Sequence, residues 1–192
     1  MMSTPDLDLL VAAAIEGDNR AVAELVRSTE PTIRRLCRAL GSIDNEDDLV
    51  QETYLRALRS LPSYRGESPF PAWLAAVARH VCADDVRRRQ RQRRLIGRLQ
   101  SSAAHREQSD ATDHGGAVTH HLLDQLSPDR REAFALTQIL GYSYDEAAQI
   151  TGCPIGTIRS RVARARGDLF DLLDSDLLDE GTSPPNLATG AL

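Results

Sequence analysis

Thr157, Arg159, Ser160, Arg161, Arg164 and Arg166 crowd one short stretch of the chain. Hydroxyls and guanidiniums at that density suit the recognition of a polyanion, with phosphates and base edges as the natural targets. The segment that carries them has its own punctuation. Ser143 with Glu146 three residues on has the spacing of a capping box, and Gly152 follows Ala148 by four, where a small residue lets two helices approach and a glycine permits a turn. Ile155 to Leu169 then forms a second helix with Ile158, Val162 and Leu169 inward. The spacing predicts a helix-turn-helix whose second helix presents the basic face, although a plain helical hairpin with a solvated basic face would use the same residues.

A second basic run lies between Arg79 and Arg98, where eight arginines oppose only Asp84 and Asp85. The acids are gathered elsewhere, in Asp44, Glu46, Asp47, Asp48 and Glu52, and again in the six acids without a base from Asp168 to Glu180. The net charge of -5 therefore hides two local positive sites, and charge segregation of this kind fits nucleic-acid contact better than an even spread would.

Enzyme chemistry finds little support. His80, His105, His114, His120 and His121 show no HExxH spacing, no glycine-rich loop precedes a helix to cradle phosphate, and the acid pairs fall on exposed helical faces. Cys37, Cys82 and Cys153 are odd in number and widely separated, which excludes a complete disulfide framework and suggests small core residues. No metal, cofactor or catalytic residue is expected.

The elements that must position these residues read as helices throughout. Aromatics make up 4% of the 192 residues, too few for barrels or sandwiches that rely on them, and the fold class expected is all-α. The longest apolar stretch, Leu9 to Ile15, is far short of a bilayer span, and Met1 to Asp8 has no basic segment ahead of an apolar one. A cytoplasmic protein without membrane insertion is expected.

Leu7, Leu10, Val11 and Ala14 mark a first helix closed by Gly17. Asp18 starts the next, with Val22, Leu25 and Val26, and another apolar face runs after Pro31 through Ile33, Leu36, Cys37 and Leu40. A third segment opens with Glu46, Asp47 and Asp48, buries Val50, Tyr54, Ala57, Leu58 and Leu61, and leaves Asp48, Gln51, Glu52, Leu55 and Arg59 outside. Ser63 to Pro69 is a loop, and a helix from near Pro71 carries Trp73, Leu74, Val77, Ala78 and Val81 into the arginine run. Among those neighbours Trp73 is better read as core than as a base-stacking platform. Apolar periodicity stops from Gly97 to Thr119, and it resumes at Val118, Leu122, Leu123 and Leu126 before Ser127 caps a helix led by Pro128. The organisation expected is two small helical domains, 6–95 and 120–172, joined by a flexible linker at 96–119 and followed by a disordered acidic tail at 173–192, with the helix-turn-helix in the second domain.

At this point the motifs resemble a known family. Leu126-Ser127-Pro128-Asp129-Arg130-Arg131-Glu132-Ala133-Phe134, Gly141-Tyr142-Ser143-Tyr144-Asp145-Glu146-Ala147-Ala148 and Gly152-Cys153-Pro154-Ile155-Gly156-Thr157-Ile158-Arg159-Ser160-Arg161 resemble region 4 of extracytoplasmic-function sigma factors. Asp47-Asp48-Leu49-Val50-Gln51-Glu52-Thr53-Tyr54-Leu55-Arg56-Ala57-Leu58 resembles region 2.2, while Tyr64-Arg65-Gly66-Glu67-Ser68-Pro69-Phe70-Pro71-Ala72-Trp73-Leu74 with Ala78-Arg79-His80 resembles region 2.3 and its flank. Within the family the actinobacterial sigma factor C branch is the nearest likeness.

The resemblance implies a non-catalytic factor that binds core RNA polymerase, recognises minus-ten and minus-thirty-five promoter elements and promotes initiation at a stress or alternative regulon. It implies that Asp48, Gln51 and Glu52 meet the β′ clamp helices, with the β flap as a second polymerase contact. Ser63, Tyr64, Arg65, Gly66, Glu67 and Ser68, in the loop up to Phe70, would capture an unstacked base of the minus-ten element, and Arg79, Arg87, Arg88 and Arg89 would hold phosphates beside it. Thr157, Arg159, Ser160, Arg161 and Arg164 would contact the minus-thirty-five element. An anti-sigma factor is a further implied partner, though no residue reports one.

The chain departs from the family pattern at Leu58-Arg59, where an aromatic usually follows Ala57, and it shows no region 3 and no fused sensory domain. A conventional regulator with a helical sensor and a C-terminal helix-turn-helix is the rival reading, but it leaves the basic helix beside a Gly/Pro loop in the first half without a purpose. Self-docking of acidic faces on basic ones across the linker is a further, less favoured expectation.

Overall fold

The computed structural model describes residues 4–41, 45–99 and 121–180, and all of its regular structure there is helical. In chain order the helices are α1 (Thr4–Ile15), α2 (Asn19–Leu40), α3 (Glu46–Ser60), α4 (Phe70–Leu99), α5 (Pro128–Phe134), α6 (Tyr144–Thr151) and α7 (Ile155–Glu180). A 3-10 turn at Leu61–Ser63 follows α3, and a π-helical turn at Ala135–Ile139 extends α5. No described helix is long and apolar enough to cross a membrane.

Asp18 starts α2 by accepting hydrogen bonds from the amides of Arg20 and Ala21. The break expected at Pro31 does not occur, and α2 runs through it. Ala21, Leu25, Thr29 and Ile33 are buried at four-residue intervals, so the faces on either side of the proline share one stripe and burial outweighs the missing amide. At the far end Gly41 is needed for close approach, since a Cβ there would collide with the side chain of Leu49 and lie 2.7 Å from the Cys37 carbonyl.

Three further expectations are corrected. Leu58 is 39% exposed rather than in the buried stripe, because Ala57 and Leu61 already fill the seam against α4. Ser127 precedes α5 without a side-chain capping bond. The helix of the arginine run continues to Leu99, and α7 continues to Glu180, so residues 173–180 are helical where a disordered tail was expected. In both, strong helix formers, arginine in α4 and leucine in α7, carry the period past the packed part. The remaining linker residues 100–120 and tail residues 181–192 lie outside the described residues.

The two halves are docked on one another. A single cluster of buried side chains joins Leu36, Cys37, Leu74, Ala78 and Cys82 of the first half to Ala133, Leu136, Ala147, Ile150, Ile158 and Val162 of the second. A smaller one sets Ala39 at the end of α2 against Leu123, Leu126, Ala135 and Ala165. The polar seam closes it. Arg131 donates from Nε to the Ala39 carbonyl at 2.5 Å, Arg79 pairs with Glu132, and the Tyr142 hydroxyl donates to the Pro71 carbonyl at 3.3 Å. The self-docking considered from charge thus occurs, but through apolar packing and not through the acidic face of α3.

Candidate nucleic-acid interface

α6 and α7 form the helix-turn-helix. Ser143 accepts from the Glu146 amide and the Glu146 carboxylate accepts from the Ser143 amide, so the capping box is complete. Gly152 has φ +70 and its amide donates to the Ala148 carbonyl, a left-handed stop that a side chain would strain. Ile158, Val162 and Ala165 are buried and fix the rotation of α7. That rotation leaves Arg159, Ser160 and Arg164 on the outer face, with Thr157 half-buried at its edge. Arg159 and Arg164 carry no ion pair among the described residues.

Arg161 is placed differently. It turns toward α5, paired with Asp129, and its other amino group lies 3.2 Å from the Cys153 sulfur. Arg166 bonds the Gln138 side chain at 2.6 Å. Of the basic cluster seen in the sequence, only part therefore projects freely.

In the first half, Ser63, Tyr64, Arg65, Glu67 and Ser68 ring a cavity of about 370 Å³, and Trp73 is its sixth wall. The loop is held by the Tyr64 hydroxyl, which donates to the Ser68 carbonyl at 2.6 Å. Beneath it Tyr64, Phe70 and Trp73 form an aromatic cluster with centroids 5.2 to 5.8 Å apart. Trp73 is half-buried against the core, as expected, and also lines the cavity. Phe70 was not singled out from sequence. It is 4% exposed and its edge contact sets the Tyr64 ring, a role that Pro69 and Pro71 on either side masked as loop.

The α4 arginines are mostly occupied. Arg87 bonds Asp84 at 2.7 Å, Arg88 bonds Asp85 at 2.7 Å, Arg89 lies 2.8 Å from Asp85 as an ion pair without hydrogen-bond alignment, and Arg79 is taken by Glu132 across the seam. Asp85 is buried, so its two arginines compensate a carboxylate that would otherwise be costly. Arg56 of α3 and Arg87 hold the Asp84 carboxyl down at about 2. Arg79, Arg87, Arg89 and Arg93 also face Asp129 and Glu132 across a cavity of about 760 Å³ between the halves. Each arginine can still offer its remaining donors to phosphate, and an acid beside it fixes the guanidinium in place.

On α3, Asp48 and Gln51 are exposed, while Glu52 is half-buried and bonds Arg56 at 2.7 Å. Leu55, 43% exposed, lies on this face as the spacing expected, and Leu58, 39% exposed, extends it with apolar surface that the sequence reading had placed inside. No three His, Cys, Asp or Glu residues among those described are grouped to hold a metal.

Comparison with known proteins follows this division. Residues 25–92 match the model for Sigma-70 region 2, and residues 118–169 match that for Sigma-70, region 4. The chain is 41% identical over 166 residues to a probable RNA polymerase sigma-C factor of Mycobacterium bovis, covering 84% of this chain and 88% of that one. It is 41% identical over 155 residues to the ECF RNA polymerase sigma factor EcfG of Rhodopseudomonas palustris, covering 76% and 81%. Among solved structures, CnrH in complex with the cytosolic domain of CnrY superposes with a TM-score of 0.71 at 29% identity, over 88% of this chain and 97% of that one. RpoE of Bartonella quintana, solved with the anti-sigma factor NepR, superposes at 0.59 with 35% identity, over 80% and 97%.

Proposed function

Since the chain belongs to the extracytoplasmic-function sigma factors, we propose how its own residues divide the work of that family. It is a promoter-recognising initiation factor that binds core RNA polymerase and promoter DNA and catalyses no reaction itself. The domains are taken as 6–95 for polymerase and minus-ten contact and 120–172 for the minus-thirty-five element, with 96–119 as the connection and 173–192 as the tail.

The observation that carries the assignment is the pairing, in one chain, of an outward Arg159, Ser160 and Arg164 row on a capped helix-turn-helix with an aromatic-floored loop cavity beside an arginine-bearing helix. The row is dimensioned for a major groove, with Thr157 at the helix start and Arg161 positioned through Asp129 as its flank. The cavity at Ser63 to Ser68 has room for one extruded base, which would stack on Tyr64 or Trp73 and bond Arg65, Glu67 or the two serines. Arg79, Arg87, Arg88 and Arg89 would track the adjacent backbone. Asp48, Gln51 and Glu52, with Leu55 and Leu58, would seat on the basic β′ clamp helices, leaving the β flap to the second domain. An anti-sigma factor is a further partner on this reading, as CnrH is solved with the cytosolic domain of CnrY and RpoE with the anti-sigma factor NepR. The regulon is a stress or alternative one on this reading.

The test is run-off transcription with core enzyme on one promoter, with permanganate reactivity of the minus-ten region read in parallel. Changes in the Ser63 to Ser68 loop should spare duplex binding and impair opening, while changes at Arg159 and Arg164 should impair binding itself. The reverse pattern refutes the residue assignment.

A further inference from the structure

Cys37 of α2 and Cys82 of α4 take no part in the division of work above. Both are free thiols at 0% and 1% exposure, and both belong to the cluster that joins the two halves. Ala75, Ala78 and Cys82 form one buried stripe on α4, small enough to let α2 approach closely. Two observations bring the sulfurs together. Cys82 lines the cavity between the halves beside Leu40 and Gly41, and the Gly41 amide donates to the Cys37 carbonyl at 2.7 Å, one turn back on the same face of α2. The thiols also bond one another, and that bond is the first cause of a shift in acidity at each, Cys37 pulled below the usual thiol value and Cys82 pushed above it. The buried Thr53 hydroxyl is a further partner of Cys37.

We propose that Cys37 and Cys82 are a reversible cross-linking pair, closed to a disulfide by a small hydroperoxide that enters from the cavity between the halves. A thiol that lines a cavity and is otherwise buried meets a peroxide-sized molecule before a bulky oxidant. The Cys37 sulfur attacks the outer oxygen of the peroxide and the O–O bond breaks. Cys37 becomes a sulfenic acid, and its proton leaves with the other oxygen as water or an alcohol. The Cys82 sulfur then attacks the Cys37 sulfur. The S–S bond forms as the S–O bond breaks, and the departing hydroxide takes the Cys82 proton to leave as water. The two thiols give up two electrons, which the hydroperoxide accepts. The bond closes residues 37–82 into a ring that contains α3 and the aromatic-floored loop, and it ties the last turn of α2 to α4. Closing such a ring restricts the unfolded chain, so the oxidised molecule resists unfolding more than the reduced one.

Peptide mapping of the full chain tests this, after treatment with hydrogen peroxide and alkylation of the remaining thiols under denaturing conditions. Cys37 is expected linked to Cys82 with the loss of two hydrogens, and Cys153 alkylated. The melting temperature of the linked chain should rise by about 5 to 15 °C, and a small dithiol reductant should reverse both changes. Cys153→Ser should behave as the native chain does. Cys37→Ala and Cys82→Ala should each melt at one temperature before and after peroxide. The map is made on the native chain and does not depend on how well either alanine variant folds. Peroxide that leaves Cys37 and Cys82 open to alkylation, a link made through Cys153, or a linked chain that melts no higher than the reduced one would overturn the proposal.

Discussion

Arg161 and Arg159 differ by two positions and by everything that surrounds them. Spacing alone puts both in the basic cluster, because the partner that removes Arg161 from the outer face, Asp129, lies 32 residues earlier and is visible only once α5 packs on α7. Arg159→Ala and Arg164→Ala should therefore each weaken promoter binding, by about 1 to 3 kcal/mol where the contact is bidentate to a guanine and less where it is to phosphate. A base contact relaxes preference at one position of the minus-thirty-five element, whereas a phosphate contact lowers the salt slope by about one unit for all promoters. Arg161→Ala should cost less in binding and show instead as a small loss of stability, within the roughly 0 to 1 kcal/mol of a solvent-accessible ion pair. Filter binding over a salt series with thermal melts separates the two. An Arg161 variant that loses binding as strongly as the Arg159 variant, at unchanged stability, would return it to the outer face.

At the scale of elements, helical periodicity made most of α1 to α7 legible, since stripes such as Leu7, Val11 and Ala14 or Ile158, Val162 and Ala165 are read directly from spacing. What spacing could not weigh was continuity. Pro31 looked like an end because a local rule says so, and only the shared stripe across it, with the Thr29 and Tyr54 hydroxyls 2.9 Å apart on the next helix, shows why α2 persists. The face of α3 was legible in its acids and not in Leu58. Asp48→Arg should weaken association with core enzyme while leaving helical content unchanged, because the side chain touches no core residue; undiminished co-purification would remove α3 from the polymerase contact. Glu52 is a poorer probe, since reversal would also repel Arg56, which ties α3 to Asp84 of α4 at 2.7 Å. That tie has a pH signature. The Asp84 carboxyl sits at about 2 in the folded chain, below its usual value near 4, so its contribution to stability is complete above about pH 4 and is lost as pH falls through 2. The side chain is 47% exposed and the effect is correspondingly small. Melting temperatures of the native chain and of Asp84→Asn should differ at pH 5 and converge toward pH 2, and a gap that does not narrow would place the tie elsewhere.

For the whole molecule the decisive feature is an apolar docking of the halves, which the charge pattern suggested only as a contact of acidic on basic faces. The two halves share a core, and apolar side chains such as Leu136 and Ile150 look identical in sequence whether they bury against their own domain or across a seam. The seam also takes up groups assigned to DNA. Arg79 is bound to Glu132, Tyr142 reaches the start of α4 beside the aromatic cavity, and Arg87 and Arg89 face the second half across the interdomain cavity. A promoter spans its two elements along one duplex, whereas here both recognition surfaces belong to one docked body. If the docked chain has to open before both can engage, the cost of opening lowers its apparent affinity by the fraction of open molecules. Glu132→Arg sets two guanidiniums against each other at a site only 13% exposed on the Glu132 side, and touches neither the outer row of α7 nor the loop cavity. It should raise the radius of gyration in small-angle scattering, speed proteolysis between residues 100 and 120, and increase promoter binding by the free chain several-fold, by about 1 kcal/mol if the ion pair is worth what partly buried pairs usually are. Core enzyme should level the difference if binding it already separates the two halves. A variant that scatters as an extended molecule yet binds promoter no better would show that docking and DNA recognition are independent.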